Sequence, residues 1–536
     1  MRRKTVISRR LPLHADVAWL RTHIMRAIWR LAAAVCAVAS SLCASAAEHE
    51  TAIGASLTTN VGNGDFAPSY AMSNVGGVVT QPNSMLARAQ AEYSLTGVGR
   101  FSFYVGADVI GGGSSDTEYG LYDAERGELH YRGVNQARVW LQQLYGTVEF
   151  RSIFLTLGMR DRGSVLVNRE LSSGDLCMSG NARPMPGVTA GFGDFRDIPL
   201  TSRWLQICGE IGYFKALDSK WMENHYNYRN YNITTGYVLH YKYLHLRTNP
   251  DKPFSLTVGM QSACQIGGTS RNFFNGVQLS EISTKVGLKQ ILKAFIPSSG
   301  GSGGPEGDQI YYEGNHLGTW DLMGRYRFGS GDELRLYYQS PWEDGSGIGK
   351  LNGFDGMYGV EYTSARQGLV EGAVIEYIDL MNQSGPMHWA PADFPGTPIL
   401  GQATGADDYY NNYFYNGYQY YGMSLGSPMI RTAIYNTDGY PRITDNRIRG
   451  FHAAVCGHLA ADVRYMAKFG YRRSHGTPFV PLSEPRSTTS MLIEGSYDFG
   501  GKLSGLSVCG KVAGDFGSLL GNNFGVMVTV GYNGRF

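Results

Sequence analysis

Between Phe524 and Phe536 the chain changes character at every residue. Phe524, Val526, Val528, Val530, Tyr532 and Phe536 are bulky and apolar, interrupted only by Gly534, and Gly525, Met527, Thr529, Gly531, Asn533 and Arg535 fall between them. Successive side chains of a strand point to opposite faces, so this segment predicts a strand with one greasy face and one small or polar face. The same period recurs along the chain. Ala87, Ala89, Ala91, Tyr93 and Leu95 interleave with Arg88, Gln90, Glu92 and Ser94, and Phe101, Phe103, Val105, Ala107 and Val109 with Ser102, Tyr104, Gly106 and Asp108. Phe254, Leu256, Val258 and Met260 alternate with Ser255, Thr257, Gly259 and Gln261, and Trp320, Leu322, Gly324, Tyr326 and Phe328 with Asp321, Met323, Arg325 and Arg327. Val463 to Tyr471 and Met491 to Phe499 repeat the pattern.

Aromatic residues gather at the ends of these runs, where a membrane barrel carries its interfacial girdles. The opposite faces carry charge of both signs. An Arg or Lys facing lipid at mid-depth costs roughly 2–4 kcal/mol, so these faces should look into a wet lumen. A soluble array of β-sandwiches would need internal repeats and linkers, and the chain has neither. The aromatic strand ending on Phe536 resembles the terminal signal of outer-membrane barrels. The expectation is an all-β, antiparallel transmembrane barrel whose first and last strands meet, with its function in lumen and loops. Long Gly-rich polar segments, such as Gly111 to Arg132, Ser298 to Asn315 and Trp389 to Tyr421, are expected as extracellular loops facing short periplasmic turns. One stretch breaks the rhythm. Ile282, Val286, Ile291, Leu292 and Phe295 recur at helical spacing, predicting a short helical insertion over 280–296 with Ser280 as its N-cap. Lys285, Lys289 and Lys293 form a stripe on it that reads first as a solvated face and otherwise suits an anionic sugar or lipid head group.

Composition agrees. The 536 residues include 71 glycines and 35 tyrosines but only 17% charged residues, which suits a sheet with one face in lipid better than a cytosolic enzyme. A mean hydropathy of -0.22 argues against a helical membrane protein and not against a barrel, whose apolar residues are diluted by alternation. Residues 1–47 read as a signal peptide: Arg26 and Arg30, an uncharged run from Leu31 to Leu42, then Ala44-Ser45-Ala46, with Met25 as an alternative start. The run is too short to span hydrocarbon. Residues 48–536 are then expected as a single barrel domain. The leader holds eight basic residues and one acid, Asp16, so the mature chain keeps 39 basic and 44 acidic residues, a formal net charge of −5. Nothing points to nucleic acid. Cys177, Cys208, Cys264, Cys456 and Cys509 show neither metal spacing nor a disulfide framework, and no metal or cofactor is expected.

The common catalytic signatures are absent from the sequence. Asp407 and Asp408 are adjacent, so on an extended chain they point apart, and His240 and His245 fall on opposite faces of a strand. Two stretches look built for contact. In Asp407 to Tyr421, tyrosines stand among Asn, Asp and Gln, pairing aromatic planes for sugar C–H faces with amides for hydroxyls; an interfacial girdle plus packed loop explains them as well. In Ser179 to Gly187, Pro184 and Pro186 stiffen the loop and Arg183 offers a five-donor fork for carboxylates or sugar hydroxyls, or for a lumen carboxylate that pins the loop.

Asn181-Ala182-Arg183-Pro184-Met185-Pro186, preceded by Gly158-Met159-Arg160 and Leu171-Ser172-Ser173-Gly174, resembles the Wzi-type capsule assembly proteins. Further echoes follow in order: Leu239 to Arg247, Asn382 to Pro386, Tyr409-Tyr410-Asn411-Asn412, Tyr420-Tyr421-Gly422 running to Ile430, and Asn446 to Arg449. The resemblance implies a non-enzymatic outer-membrane barrel of roughly eighteen strands that binds capsular polysaccharide and helps assemble or anchor it at the surface of a Gram-negative cell. It also implies an N-terminal helical bundle closing the periplasmic end. Residues 48–86 read instead as strand and Gly/Asn-rich loop, leaving the 280–296 helix as a partial substitute. The expected polysaccharide contacts are Tyr409, Tyr410, Asn412, Tyr413, Tyr415, Arg183 and Asn181. Expected partners are capsular polysaccharide and outer-membrane lipid or lipopolysaccharide around a monomer. The rival is a diffusion porin or sugar-specific channel lined by Arg325, Arg327, Arg335, Arg464, Lys468, Glu376 and Glu494, and a rim hydrolase is a third reading.

Overall fold

The alternating segments are strands, and they close on themselves. The computed structural model describes residues 48–136, 138–295, 314–343, 345–350, 352–383, 388–389, 403–404, 407–412 and 414–536; the expected signal peptide and Tyr413 lie outside them. The wall begins with β1 (Glu48–Asn63), β2 (Ser84–Val98), β3 (Phe101–Ser114), β4 (Val139–Phe150), β5 (Ile153–Met159) and β6 (Gly187–Phe192, resumed at Arg196–Asp197). It continues with β7 (Leu205–Lys215), β8 (Val238–Thr248), β9 (Phe254–Ile266), β10 (Asn315–Arg327), β11 (Glu333–Trp342) and β12 (Gly356–Thr363). Last come β13 (Gly372–Asp379), β14 (Ile448–Ala460), β15 (Val463–Gly476), β16 (Pro481–Asp498), β17 (Leu506–Gly517) and β18 (Asn523–Arg535).

The sheet has nineteen hydrogen-bonded segments, and since Gly187–Phe192 and Arg196–Asp197 both pair with β7 they count as one interrupted strand of an eighteen-strand wall. Every neighbour is antiparallel. β1 pairs with β2 on one side and β18 on the other, and Thr51 and Phe536 exchange backbone hydrogen bonds of 2.8 and 2.9 Å. The terminal strand therefore seals the barrel, which leaves no unpaired edge.

The faces follow the sequence pattern. Phe524, Val526, Val528, Val530 and Tyr532 are 39–45% exposed on the outside, whereas Met527, between them, is 6% exposed. Asp108, Gln261, Asp321, Glu376 and Asp515 occupy the inward register and are buried in the lumen. Leu95 is an exception: it is buried, beside a register irregularity between Leu95 and Val98. Short turns such as 99–100, 151–152 and 461–462 lie at the end bearing Glu48 and Phe536, and long segments such as 64–83, 160–186 and 216–237 lie at the other. This is the asymmetry of outer-membrane barrels, which have short periplasmic turns and long extracellular loops. No helix among the described residues is long and apolar enough to cross a membrane.

The helical expectation over 280–296 is corrected. Ser280 lies in a strand, Val277–Thr284, that pairs with Gly268–Phe274, and the helix spans only Leu288–Phe295, beyond Lys285. Asn275 and Gly276, at φ 47° and 80°, form the turn between them. An Asn-Gly pair with both φ positive suits the twist of a hairpin, and here it outweighs the helical spacing of Ile282 and Val286. The helix does not close the lumen either. Its Ala294 packs with Cys264 and Ile266 of β9, on the wall face that carries Phe254 and Val258.

Candidate functional site

Barrels of this strand number enclose more space than wall side chains can fill. Here the chain fills it with three of its own segments, 64–83, 160–186 and 407–447. Phe66, Tyr70 and Met72, then Leu171, Leu176 and Met185, then Tyr410, Tyr418 and Met429 pack in one core with the inward wall residues Leu239, Leu317, Met357 and Met466. Buried carboxylates bolt these segments to the wall. Glu376 of β13 accepts hydrogen bonds from Ser172 Oγ at 2.5 Å, from the Ser173 N–H at 2.7 Å and from the Tyr337 hydroxyl. Asp175 accepts from Ser164 Oγ at 2.6 Å, the backbone N–H groups of Cys177 and Met178, and the amides of Gln261 and Gln339. Those two amides also donate to Asp321, which His245 Nε2 meets at 2.8 Å. Asp515 accepts from Ser69 and Ser490. The Leu171 carbonyl fixes His452 Nε2 as a donor at 2.7 Å, so in the neutral imidazole Nδ1 accepts the Tyr70 hydroxyl at 2.6 Å. A buried network of this kind is rigid because each orphaned member is costly.

This architecture moves most of the expected glycan contacts inside. Tyr409, Tyr410 and Tyr415 are buried. Tyr409 Oη accepts from Asn352 Nδ2 at 2.6 Å, Tyr410 donates to the Leu176 carbonyl, and Tyr415 lies edge-on to Phe414 and Tyr237. Asn181 is buried as well, accepting from the Asn74 N–H and donating to the Ser424 carbonyl, so one side chain ties all three inserted segments. Asn412 Oδ1 caps the N–H groups of Phe414 and Tyr415 in a tight turn. These five residues build the plug rather than a stacking surface. Burying a large side chain is worth roughly 1.5–3 kcal/mol, and Tyr409, Tyr410 and Tyr415 share one lumen core with Phe66, Leu171 and Met185. Among the described residues no carboxylate pairs with Arg183; its guanidinium lies 4.2 Å from the Tyr421 ring centroid and 5.1 Å from that of Trp140. The cavity beside it, shared with Arg160 and Arg162, is about 40 Å³, room for water and not for a sugar.

Beneath the plug, the charges expected to line a channel are largely paired. Glu333 holds Arg325, Arg327 and Arg335 within 2.9–3.1 Å, Glu170 holds Arg464 at 2.7 Å and Lys511 holds Glu494 at 2.7 Å. A chamber of about 340 Å³ remains on this side, lined by Gln90, Glu92, Asp108, Gln143, Tyr145 and Asn533.

At the loop end, segments 115–136, 216–237, 267–277 and 436–442 converge on Tyr226, which is fully buried, and on its neighbour Asn227. The Tyr226 hydroxyl donates to the Tyr231 carbonyl at 2.8 Å and its ring lies 4.9 Å from that of Tyr228. Asn227 donates to the carbonyls of Gly439 and Asp438 and its own carbonyl accepts from Tyr122. Around this anchor stand half-buried Tyr122, Tyr228, Tyr231 and Tyr440, with Arg229 5.3 Å from the Tyr122 ring and Arg442 over both Tyr231 and Tyr440. Tyr228 and Tyr231 sit at φ 59° and 127°, backbone that bulky residues adopt only where their surroundings enforce it. Aromatic planes flanked by guanidinium forks present surfaces for sugar C–H faces and donors for hydroxyls or carboxylates. Sequence reasoning missed this cluster. Its signal was the run Tyr226-Asn227-Tyr228-Arg229-Asn230-Tyr231-Asn232, of the same kind as 409–421.

Asp218 connects plug and loops. It is buried at the head of the helix Ser219–His225, accepts the Tyr421 N–H at 3.1 Å, and burial pushes its carboxyl up to about 6. A carboxyl that holds its proton more tightly when folded contributes most at low pH, and that contribution is lost as pH rises through the folded value. Asp218→Asn keeps an acceptor for Tyr421 without the buried charge. It is expected to raise the melting temperature at about pH 8, by up to roughly 3 kcal/mol of stability, and to change little at about pH 4. Thermal melts at the two pH values measure the difference.

A closed eighteen-strand antiparallel β-barrel with unequal ends is the outer-membrane class of fold. No protein-family model and no curated protein matches the chain. Among solved structures it is similar in fold to Wzi from Escherichia coli, described as an outer membrane protein involved in group 1 capsule assembly and a carbohydrate binding beta-barrel, with 12% identity, 89% of this chain and 83% of that chain covered and a TM-score of 0.52. OccK5 (OpdH) from Pseudomonas aeruginosa aligns over 91% of this chain and 98% of that one at 9% identity and a TM-score of 0.43. OccAB2 from Acinetobacter baumannii covers the same shares at 9% identity and a TM-score of 0.46.

Proposed function

We propose that this chain is a monomeric, non-catalytic barrel of the Gram-negative outer membrane that binds capsular or other surface polysaccharide at its loop end and holds it at the cell. The observation that carries this reading is the plugged lumen. Three inserted segments with satisfied buried carboxylates leave the loop face as the functional surface. The fold likeness to a carbohydrate-binding barrel supports the same direction. Tyr122, Tyr231, Tyr440, Arg229 and Arg442 are the assigned contacts. Each sugar is bound weakly, and a long polymer engaging many copies is retained by avidity.

Planar-bilayer recording with the purified barrel tests closure. Wild type is expected to insert without steady conductance. A stable open current would favour a diffusion porin or sugar channel fed by the chamber beneath the plug. Binding to a panel of capsular glycans then tests the ligand, and failure across the whole panel would reject the polysaccharide role.

A further inference from the structure

On the outer wall at the loop end, strands β13 to β15 stack three rows of side chains in register. Ile375, Ala453 and Phe469 form the lowest row and Tyr377, Phe451 and Tyr471 the next. Asp379, Arg449 and Arg473 form the top row, with Arg447 just above, where the chain enters β14. The first row is hydrocarbon and the second is a belt of rings, with Phe451 and Tyr471 centroids 6.3 Å apart. Rings of this kind mark the head-group level of a bilayer. The third row lies two residues farther along each strand, about 7 Å higher.

Arg449 and Arg473 are direct cross-strand partners, a like-charge pair that is destabilising by itself. Asp379 compensates only one of them: its Oδ2 accepts from Arg449 Nε at 2.8 Å and from the Tyr377 hydroxyl at 3.1 Å. Among the described residues neither Arg473 nor Arg447 has a carboxylate partner, and the Arg447 Nε is directed to the Met381 carbonyl. Both members of the cross-strand pair are exposed.

We propose that this rim is a binding site for the phosphorylated head group of a lipid in the surrounding leaflet. Arg449, Arg473 and Arg447 supply the cations for phosphate, the ring row lies beside the sugar or glycerol backbone, and Ile375 and Phe469 lie beside the acyl chains. A dissolved anion would use only the top row. A lipid phosphate uses all three, because its charge is carried at a fixed height above hydrocarbon. Phosphate recognition by paired guanidinium forks is strong and directional. The proposal depends on the membrane-embedded wall and not on glycan binding, so either can fail without the other.

The test uses the purified full-length barrel in micelles of an uncharged detergent doped with bisphosphorylated lipid A or with its dephosphorylated form. Wild type is expected to retain the phosphorylated lipid about tenfold more through size exclusion and to melt at higher temperature with it. Arg449→Gln with Arg473→Gln is expected to bring the ratio close to one, and Arg449→Lys with Arg473→Lys to restore part of it. Equal retention of the two lipids by wild type overturns the proposal, as does an undiminished ratio in the double glutamine variant. If inorganic phosphate alone displaces the lipid and raises the melting temperature equally, a simple anion site replaces the lipid site. Should the variant lose the heat-modifiable mobility of a folded barrel, the wild-type lipid comparison still decides.

Discussion

Asp175→Ala is expected to turn a silent barrel into one that flickers open. The carboxylate is buried in the middle of segment 160–186 and accepts from five donors. Gln261 and Gln339 keep Asp321 as an acceptor after the substitution, but Ser164 Oγ and the N–H groups of Cys177 and Met178 are orphaned. Each orphaned buried donor costs ~1–3 kcal/mol, so the three together cost roughly 3–9 kcal/mol of local stability. Relief from Asp321 offsets part of this. Burial first, and then the neighbouring Asp321, pushes the Asp175 carboxyl up, so some repulsion disappears with it. A net loss of about 3 kcal/mol raises the population of the undocked segment by about a hundredfold. Asp175→Asn separates the two effects: it keeps an oxygen for the Cys177 and Met178 N–H groups and removes the repulsion. The alanine variant should show bilayer openings and external protease cleavage within 160–186, with heat-modifiable mobility intact, and the asparagine variant should stay closed. Closure in both variants would mean that segments 64–83 and 407–447 suffice to plug the lumen.

The wall was legible in the sequence because membrane and lumen impose opposite chemistry on alternate residues. Phe524 to Tyr532 on one face and Asp108, Gln261 and Asp321 on the other are placed by that rule alone, and the aromatic end at Phe536 pairs with Thr51 as a closing strand must. The plug was not legible. Nothing in Ser172, Ser173, Asp175 and Asn181 marks them as buried, because composition records hydrogen-bonding capacity and not where the partners are. Their partners, Glu376, Gln261 and Gln339, stand on strands far along the chain. The tyrosines failed for a related reason. Runs 226–231 and 409–421 are chemically alike, yet the second lies in a segment that falls back into the barrel and the first in one held up by neighbouring loops. Arg183 is read from the sequence as a fork for carboxylates or sugar hydroxyls, or for a lumen carboxylate, and in the structure it lies beside the rings of Trp140 and Tyr421. The Asn275-Gly276 pair is a local hairpin signal in the sequence, and the helical spacing of Ile282 and Val286 masks it.

The same contrast separates the two tyrosine runs by experiment. Tyr440→Ala combined with Arg442→Ala is expected to lower polysaccharide retention by about a hundredfold. A stacking ring is worth about 0.5–1.5 kcal/mol beyond the area it covers. Hydrogen bonds from a charged guanidinium are worth about 1.5–3 kcal/mol, and together these approach the ~3 kcal/mol that a hundredfold requires. Both side chains are only half buried and Tyr226, beneath them, keeps its bond to the Tyr231 carbonyl, so the fold should survive. Tyr409→Phe is the matched control: it removes the hydroxyl that accepts from Asn352 inside the plug and touches nothing on the loop face. Cells carrying the double variant should shed capsule into the medium while cells carrying Tyr409→Phe retain it. The reverse result would put the glycan site inside the lumen, because a ligand that senses Tyr409 and ignores Arg442 has to reach past the plug.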